Sequence, residues 1–276
     1  MPLADTLDSR APIIQIFEHF REELDDFHDR RERLIKSSRD ATNLSKKVIF
    51  LLHRSMTEDS SESDDRALSL RAVSRAKGKL RGIQQLFAGM RGELTGDRFW
   101  RHQKNVSPGL QEYIEAFSFS YYLQHRTLSS YEDVQKSLSD EKGTPYFPLP
   151  LGDYLLGLSD LTGELMRYAI SAIARRGGRA KASEVCSFVR SCKADFEGFT
   201  PYFRELRKKQ SVTAQSLEKI EDVAYAIAVR SSEYDLPPEL LDDIVERTVS
   251  SAANGEIGGE DRRGKRRDDA FDGDYD

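Results

Sequence analysis

The chain is short of cysteine, of tryptophan, of long apolar runs and, over its first third, of proline, and each shortage narrows what it can be. Its two cysteines, Cys186 and Cys192, fall on one predicted helix with no others to pair with. That excludes a secreted disulfide framework and points to a reducing compartment, the cytoplasm or nucleus. No apolar stretch nears the ~18 residues needed to cross a bilayer. Residues 1–11 lack the basic start and apolar core of a secretory leader. Nucleotide-binding glycine loops are absent, both the Walker A type and G-x-G-x-x-G. The five histidines (19, 28, 53, 102 and 125) never fall as H-x-x-x-H. No segment alternates apolar and polar residues as a half-buried strand would. The net charge of -5 gives no general attraction for nucleic acid, so any such binding must come from a local basic patch or a partner chain.

What is present is helical. Only Pro2 and Pro12 occur in the first hundred residues, and Pro12 sits where a first-turn proline is tolerated. From there Ile13, Phe17, Phe20, Leu24, Phe27, Leu34, Ala41, Val48 and Leu52 hold one seam, interrupted by Arg31, Ser38 and Ser45. The spacing predicts one helix of about 40 residues, packed inside a bundle rather than in a plain coiled coil. The polar run 57–65 reads as a loop. Further helices are predicted over 66–94, from Pro108 to His125, over 127–138, from Asp153 to Arg175, over 181–208 and over 211–230, with a proline-fixed loop at 141–152. The expected fold is all-α, a single-domain helical bundle of about seven helices with a very long first helix. Residues 1–11 read as a flexible N-terminus, 12–247 as the helical domain and 248–276 as a disordered charged tail. Residues 255–276 hold no leucine or valine, too little apolar surface to offset ordering. Within the tail, Arg262 to Arg267 reads either as a nuclear localisation signal or as a solvated charge run.

Two helices depart from the chain's charge statistics. Charged residues make up 32% of the sequence, yet Glu112 and Glu115 are the only ones from Pro108 to Gln124. Asp153, Asp160 and Glu164 are the only ones from Gly152 to Met166. Glu112 and Glu115 share one helix face, as do Asp153, Asp160 and Glu164. Like charges ~6 Å apart repel by about 3 kcal/mol at an effective dielectric of 20. With no lysine or arginine in either stretch, the relief must come from protonation, a partner arginine or a divalent cation. Carboxylate oxygens are hard donors suited to Mg²⁺ or Mn²⁺. Gly157 and Gly163 cost helix propensity, which implies close approach of backbone or ligand there. The plainer reading is that an E-x-x-E pair is a solvated helix face.

Two basic clusters stand out. Arg30, Arg31, Arg33, Lys36 and Arg39 are balanced by Glu22, Glu23, Asp25, Asp26, Asp29 and Glu32, and read as helix decoration. Arg98, Arg101, His102 and Lys104, interleaved with Phe99 and Trp100, are candidates for RNA contact, since cations hold phosphates and aromatic rings stack bases.

The stretches 28–54 (HDRRERLIKSSRDATNLSKKVIFLLHR), 109–119 (GLQEYIEAFSF) and 153–167 (DYLLGLSDLTGELMR) closely resemble the translin family, and 221–234 fits its last helix more weakly. The resemblance implies a bundle of about seven helices, assembly with translin into a closed, octamer-like hetero-oligomeric shell that encloses RNA, and Mg²⁺-dependent endoribonuclease cleavage carried by the translin-associated subunit. By position it implies catalytic roles for Glu112, Glu115 and Asp160, with Glu164 as a fourth metal ligand. The mechanism implied is hydrolysis by a metal-bound water. RNA is expected single-stranded or with single-stranded regions, membranes are not expected as partners, and the cytoplasm and nucleus are the expected locations. The loop 139–152 and the tail after Thr248 depart from the family pattern. One alternative is a non-catalytic RNA-binding or scaffold subunit that stabilises translin. Another, a di-iron carboxylate bundle, needs Glu-x-x-His pairs, and Ser118 and Arg167 stand where those histidines would be.

Overall fold

The computed structural model of the chain describes residues 11–58, 65–173 and 178–233, and these are helical apart from short connections. Seven α-helices follow in order: α1 (Ala11–Glu58), α2 (Asp65–Met90), α3 (Arg98–His125), α4 (Tyr131–Ser137), α5 (Leu151–Ile173), α6 (Gly178–Phe199) and α7 (Arg204–Glu233). A short 3₁₀ turn, Arg91–Leu94, follows α2, and no strand forms among the described residues. The predicted tail, including Arg262 to Arg267, and the predicted N-terminal segment before Ala11 lie outside the described residues.

α1 is 48 residues long, about 72 Å. Its seam divides into two halves. Leu34, Ala41, Val48 and Leu52 are fully buried, whereas Ile13, Phe17, Phe20 and Leu24 stay exposed. The interruptions differ in kind. Arg31 is exposed and its neighbour Arg30 takes the buried place, bound to Asp26 and Glu93. Ser38 is buried, accepting the Gly109 N–H at 3.0 Å and donating to the Val106 carbonyl at 3.3 Å.

Two helix boundaries correct the sequence reading. α3 begins at Arg98, a full ten residues before the expected start, and carries Pro108 in its interior. A proline there removes one i to i-4 hydrogen bond and is costly by propensity. Tertiary packing prevails: Phe99 and Val106 are buried ahead of it, and Phe99 stacks on Phe147 at 5.3 Å. The second boundary lies at Phe199, not at residue 208. Pro201 disfavours helix in the residue before it, and Thr200 Oγ1 donates back to the Glu197 carbonyl at 2.9 Å, closing the turn. α7 then runs through Ser211 without a break because Leu206, Gln210, Thr213, Leu217 and Ile220 form one continuous buried stripe.

The described residues divide into two compact units within α5, one comprising residues 11–56 with 65–157 and the other 57–58 with 158–173 and 178–233. In the first, α2 packs on α3 and the core is aromatic: Phe87 meets Tyr113 at 5.5 Å and Phe147 at 5.8 Å. The Tyr113 hydroxyl donates to Ser137 Oγ and accepts from Gln84 Nε2, and burial pushes its pKa up to about 12. α1 lies along α3 in the same direction, with Ser38 against Gly109, Lys46 against Glu112 and His53 against Phe119. In the second unit α6 packs on α7, and Val185, Val189 and Phe196 of α6 are buried, as are Leu206, Leu217 and Ile220 of α7.

Candidate functional site

In the first unit the candidate residues are built on α3. Leu110, Tyr113, Ile114 and Ala116 turn into the core, which fixes the rotation of the helix and sends Glu112 and Glu115 to its flank. Glu112 is partly exposed and faces α1, where Lys46 Nζ stands 3.6 Å from its Oε1. Glu115 is buried, at 8% exposure.

The start of α5 is tied to the same helix by Asp153, itself only 5% exposed. Gln111 Nε2 donates to its Oδ1 at 2.7 Å, and Ser107 Oγ lies 2.8 Å and Gln103 Nε2 3.4 Å from its Oδ2. Its partners are neutral, and the positive end of the α5 dipole supplies the rest of its stabilisation. Asp153 therefore acts as a clamp between helices, distinct from the acids further along α5. One turn after Asp153, Gly157 allows the close approach that its place in a helix implied. A Cβ there would stand 2.7 Å from Ile114 Cβ and 2.9 Å from the Gln111 carbonyl oxygen. Gly163 differs: a Cβ there meets nothing within 4 Å, so the implied close approach is not found.

In the second unit Asp160 and Glu164 lie one turn apart on α5. Lys209 of α7 forms an ion pair with Asp160, and Arg167 Nη1 stands 3.3 Å from Glu164 Oε1. The Asp160 carboxyl is held above the usual carboxylate range, chiefly because protein surrounds it, with Lys209 opposing and the Glu164 charge adding to the rise. A third of the side chain is still open to solvent. Glu164 is buried, at 8% exposure. The hydroxyls of Thr162 and Thr213, 3.0 Å apart, join α5 to α7 beside it.

The acid-only stretches thus do not lack cations in space. Lys46 of α1 reaches Glu112, Lys209 of α7 reaches Asp160, and Arg167 of the next turn of α5 reaches Glu164. Both lysines belong to basic runs visible in the sequence, Lys46 with Lys47 and Lys209 with Arg204, Arg207 and Lys208, but neither run tells which carboxylate it meets. Among the described residues, no group of three or more His, Cys, Asp or Glu side chains is placed to hold a metal ion. As a donor set the carboxylates suit a hard divalent cation, having oxygen ligands and no thiolate or imidazole among them.

Of the basic candidates, Arg98, Arg101 and Lys104 are exposed at the start of α3, next to Trp100, which is 58% exposed. His102 is not at the surface. Its ring stacks on Phe27 at 4.6 Å, and burial together with the Arg30 charge lowers its pKa. Its turn of the helix faces inward, as Phe99 and Val106 do.

These helices fall within a region, residues 29–231, that matches the model of the translin family. The chain belongs to the translin family. It is 35% identical over 261 residues to translin-associated protein X of Rattus norvegicus, covering 86% of this chain and 84% of that protein. The translin-associated protein X homolog of Schizosaccharomyces pombe is 28% identical, covering 79% and 89%. Translin of Gallus gallus is 26% identical over 142 residues, covering 51% of this chain and 62% of that one. The fold is shared with the crystal structure of AfC3PO, with a TM-score of 0.57 at 20% identity, covering 78% of this chain and 97% of that one. No helix among the described residues is long and apolar enough to cross a membrane.

Proposed function

We propose that this chain is the Mg²⁺-dependent endoribonuclease subunit of a hetero-oligomer formed with translin. The observation that carries the reading is the set of Glu112, Glu115, Asp160 and Glu164 on α3 and α5, in helices otherwise free of charge over those stretches and inside the family-matching region. These carboxylates would supply the oxygen ligands for the cation, with Mn²⁺ as a substitute. When bound, it lowers the pKa of a water and offsets charge on the phosphate. The protein's own part is to aim the carboxylates and balance them in the cation's absence through Lys46, Lys209 and Arg167. Exposed Arg98, Arg101 and Lys104, with Trp100 as a stacking surface, suit single-stranded RNA. The same reading places the protein in the cytoplasm and nucleus.

The test is to co-express the chain with translin, measure the mass of the assembly, and assay cleavage of single-stranded RNA with Mg²⁺ and with EDTA. Cleavage that needs Mg²⁺ and is lost in Glu112→Ala supports the reading. Intact assembly with no cleavage favours the second reading, a non-catalytic RNA-binding or scaffold subunit. One observation speaks for that second reading: Glu112, Asp160 and Glu164 each already sit in an ion pair.

A further inference from the structure

The outward face of α1 beside Glu112 carries a feature of which the cleavage chemistry uses only Lys46. Asn43, Lys46, Lys47 and Phe50 line a shallow concavity of about 480 Å³. Their spacing of three, four and seven places them on one stripe, about 10 Å long. All four are exposed, and Phe50 is 67% exposed in the middle of a helix whose neighbouring Val48, Ile49 and Leu52 are buried. On α1 it is the exposed large hydrophobic set apart from the N-terminal seam. Lys46 turns toward Glu112, whereas Lys47 forms no ion pair with any described residue.

We propose that this stripe is a nucleotide subsite: one base of single-stranded RNA stacks on the Phe50 ring, Lys47 meets an adjoining phosphate, and the Asn43 amide meets a base edge or ribose hydroxyl. The combination of one flat apolar ring, an unpaired ammonium and a neutral donor–acceptor matches the three parts of a nucleotide. It matches a protein helix poorly, because a docked helix needs several apolar anchors at successive turns, and Phe50 stands alone among Asn43, Lys46, Lys47 and Arg54. The position next to Lys46, which touches Glu112, makes Phe50 a positioning residue that sets which nucleotide lies near the carboxylates. The inference rests on the ribonuclease reading for its substrate, but not for its readout.

The experiment uses the chain assembled with translin, in EDTA so that no cleavage occurs, and a fluorescein-labelled uridine 12-mer as probe. A second set of probes carries a single abasic ribose at each position in turn. Phe50→Ala should weaken binding of the intact probe about five- to a hundredfold, the range that stacking of one base supplies. Phe50→Tyr should bind within a few-fold of the parent, and Lys47→Gln should flatten the salt dependence of binding. In the parent, one abasic position should weaken binding, and in Phe50→Ala that same position should make no further difference. Melting temperature and assembly mass should not change. Equal binding by Phe50→Ala and the parent overturns the proposal. So does a changed assembly mass in that variant, which would place a protein partner on Phe50. Failure of the parent complex to cleave in Mg²⁺, with the binding pattern intact, removes the ribonuclease reading and leaves the subsite standing.

Discussion

At the residue scale the acids are distinguished by their surroundings rather than by their type. Glu112 is partly exposed and paired with Lys46, and such pairs contribute about 0–1 kcal/mol once screened by solvent. Glu112→Gln should therefore leave the melting temperature within a few degrees of the parent, while RNA cleavage by the complex falls roughly 10²-fold or more. Parallel thermal scans and cleavage assays check this, and an unfolded variant would show a structural role instead. Asp160 carries a pH signature. Its carboxyl titrates above the ordinary 3.8 in the folded protein, mainly through burial, so its contribution favours the fold below that pH. That contribution is lost as pH rises through the raised value. Asp160→Asn should match the parent in stability in acid and gain on it as pH rises past the carboxylate range. Melting curves from pH 3 to 7 on the isolated chain read this directly, and a variant that loses ground with rising pH would contradict the assignment.

Helices show the same contrast between pattern and environment. The heptad seam of α1 has one spacing throughout, yet only its second half is covered. Leu52→Ala removes a fully buried side chain and should cost about 2–5 kcal/mol, whereas Phe17→Ser at an exposed position should stay within about 0.5 kcal/mol. Urea titrations of the two variants separate them, and a comparable loss for Phe17→Ser would mean that the arm is covered in solution. Gly157 and Gly163 of α5 divide likewise. Gly157→Ala places a methyl against Ile114 and the Gln111 carbonyl and should destabilise by about 1–3 kcal/mol. Gly163→Ala meets open space and should stabilise the helix by up to about 1 kcal/mol. Similar shifts in both would show that propensity, not the α3–α5 approach, governs the site.

At the scale of the whole molecule, family membership and a shared fold with a C3PO structure bring assembly into view. Co-expression with translin should give a single species heavier than either chain, and EDTA should stop RNA cleavage without dissociating it. A complex that falls apart in EDTA would make the metal structural rather than catalytic. A fully active complex in EDTA would remove the metal from the mechanism.

The sequence by itself determined the helical class, the length of α1 and the stretches that carry Glu112, Glu115, Asp160 and Glu164. Those features rest on local periodicity, on scarce proline and on side-chain chemistry, which neighbours distant in the chain do not alter. Tertiary structure decided the rest. Pro108 sits inside α3 because buried Phe99 and Val106 hold the turns before it, an outcome that propensity opposes. His102 turned inward because its turn shares a face with those same residues, although its sequence neighbours Arg101 and Lys104 are at the surface. The apparent want of cations near the acids came from reading along single helices. Lys46 and Lys209 lie sixty-six and forty-nine residues from the carboxylates they meet, and only the packing of α1 on α3 and of α7 on α5 brings opposite charges within Coulombic reach.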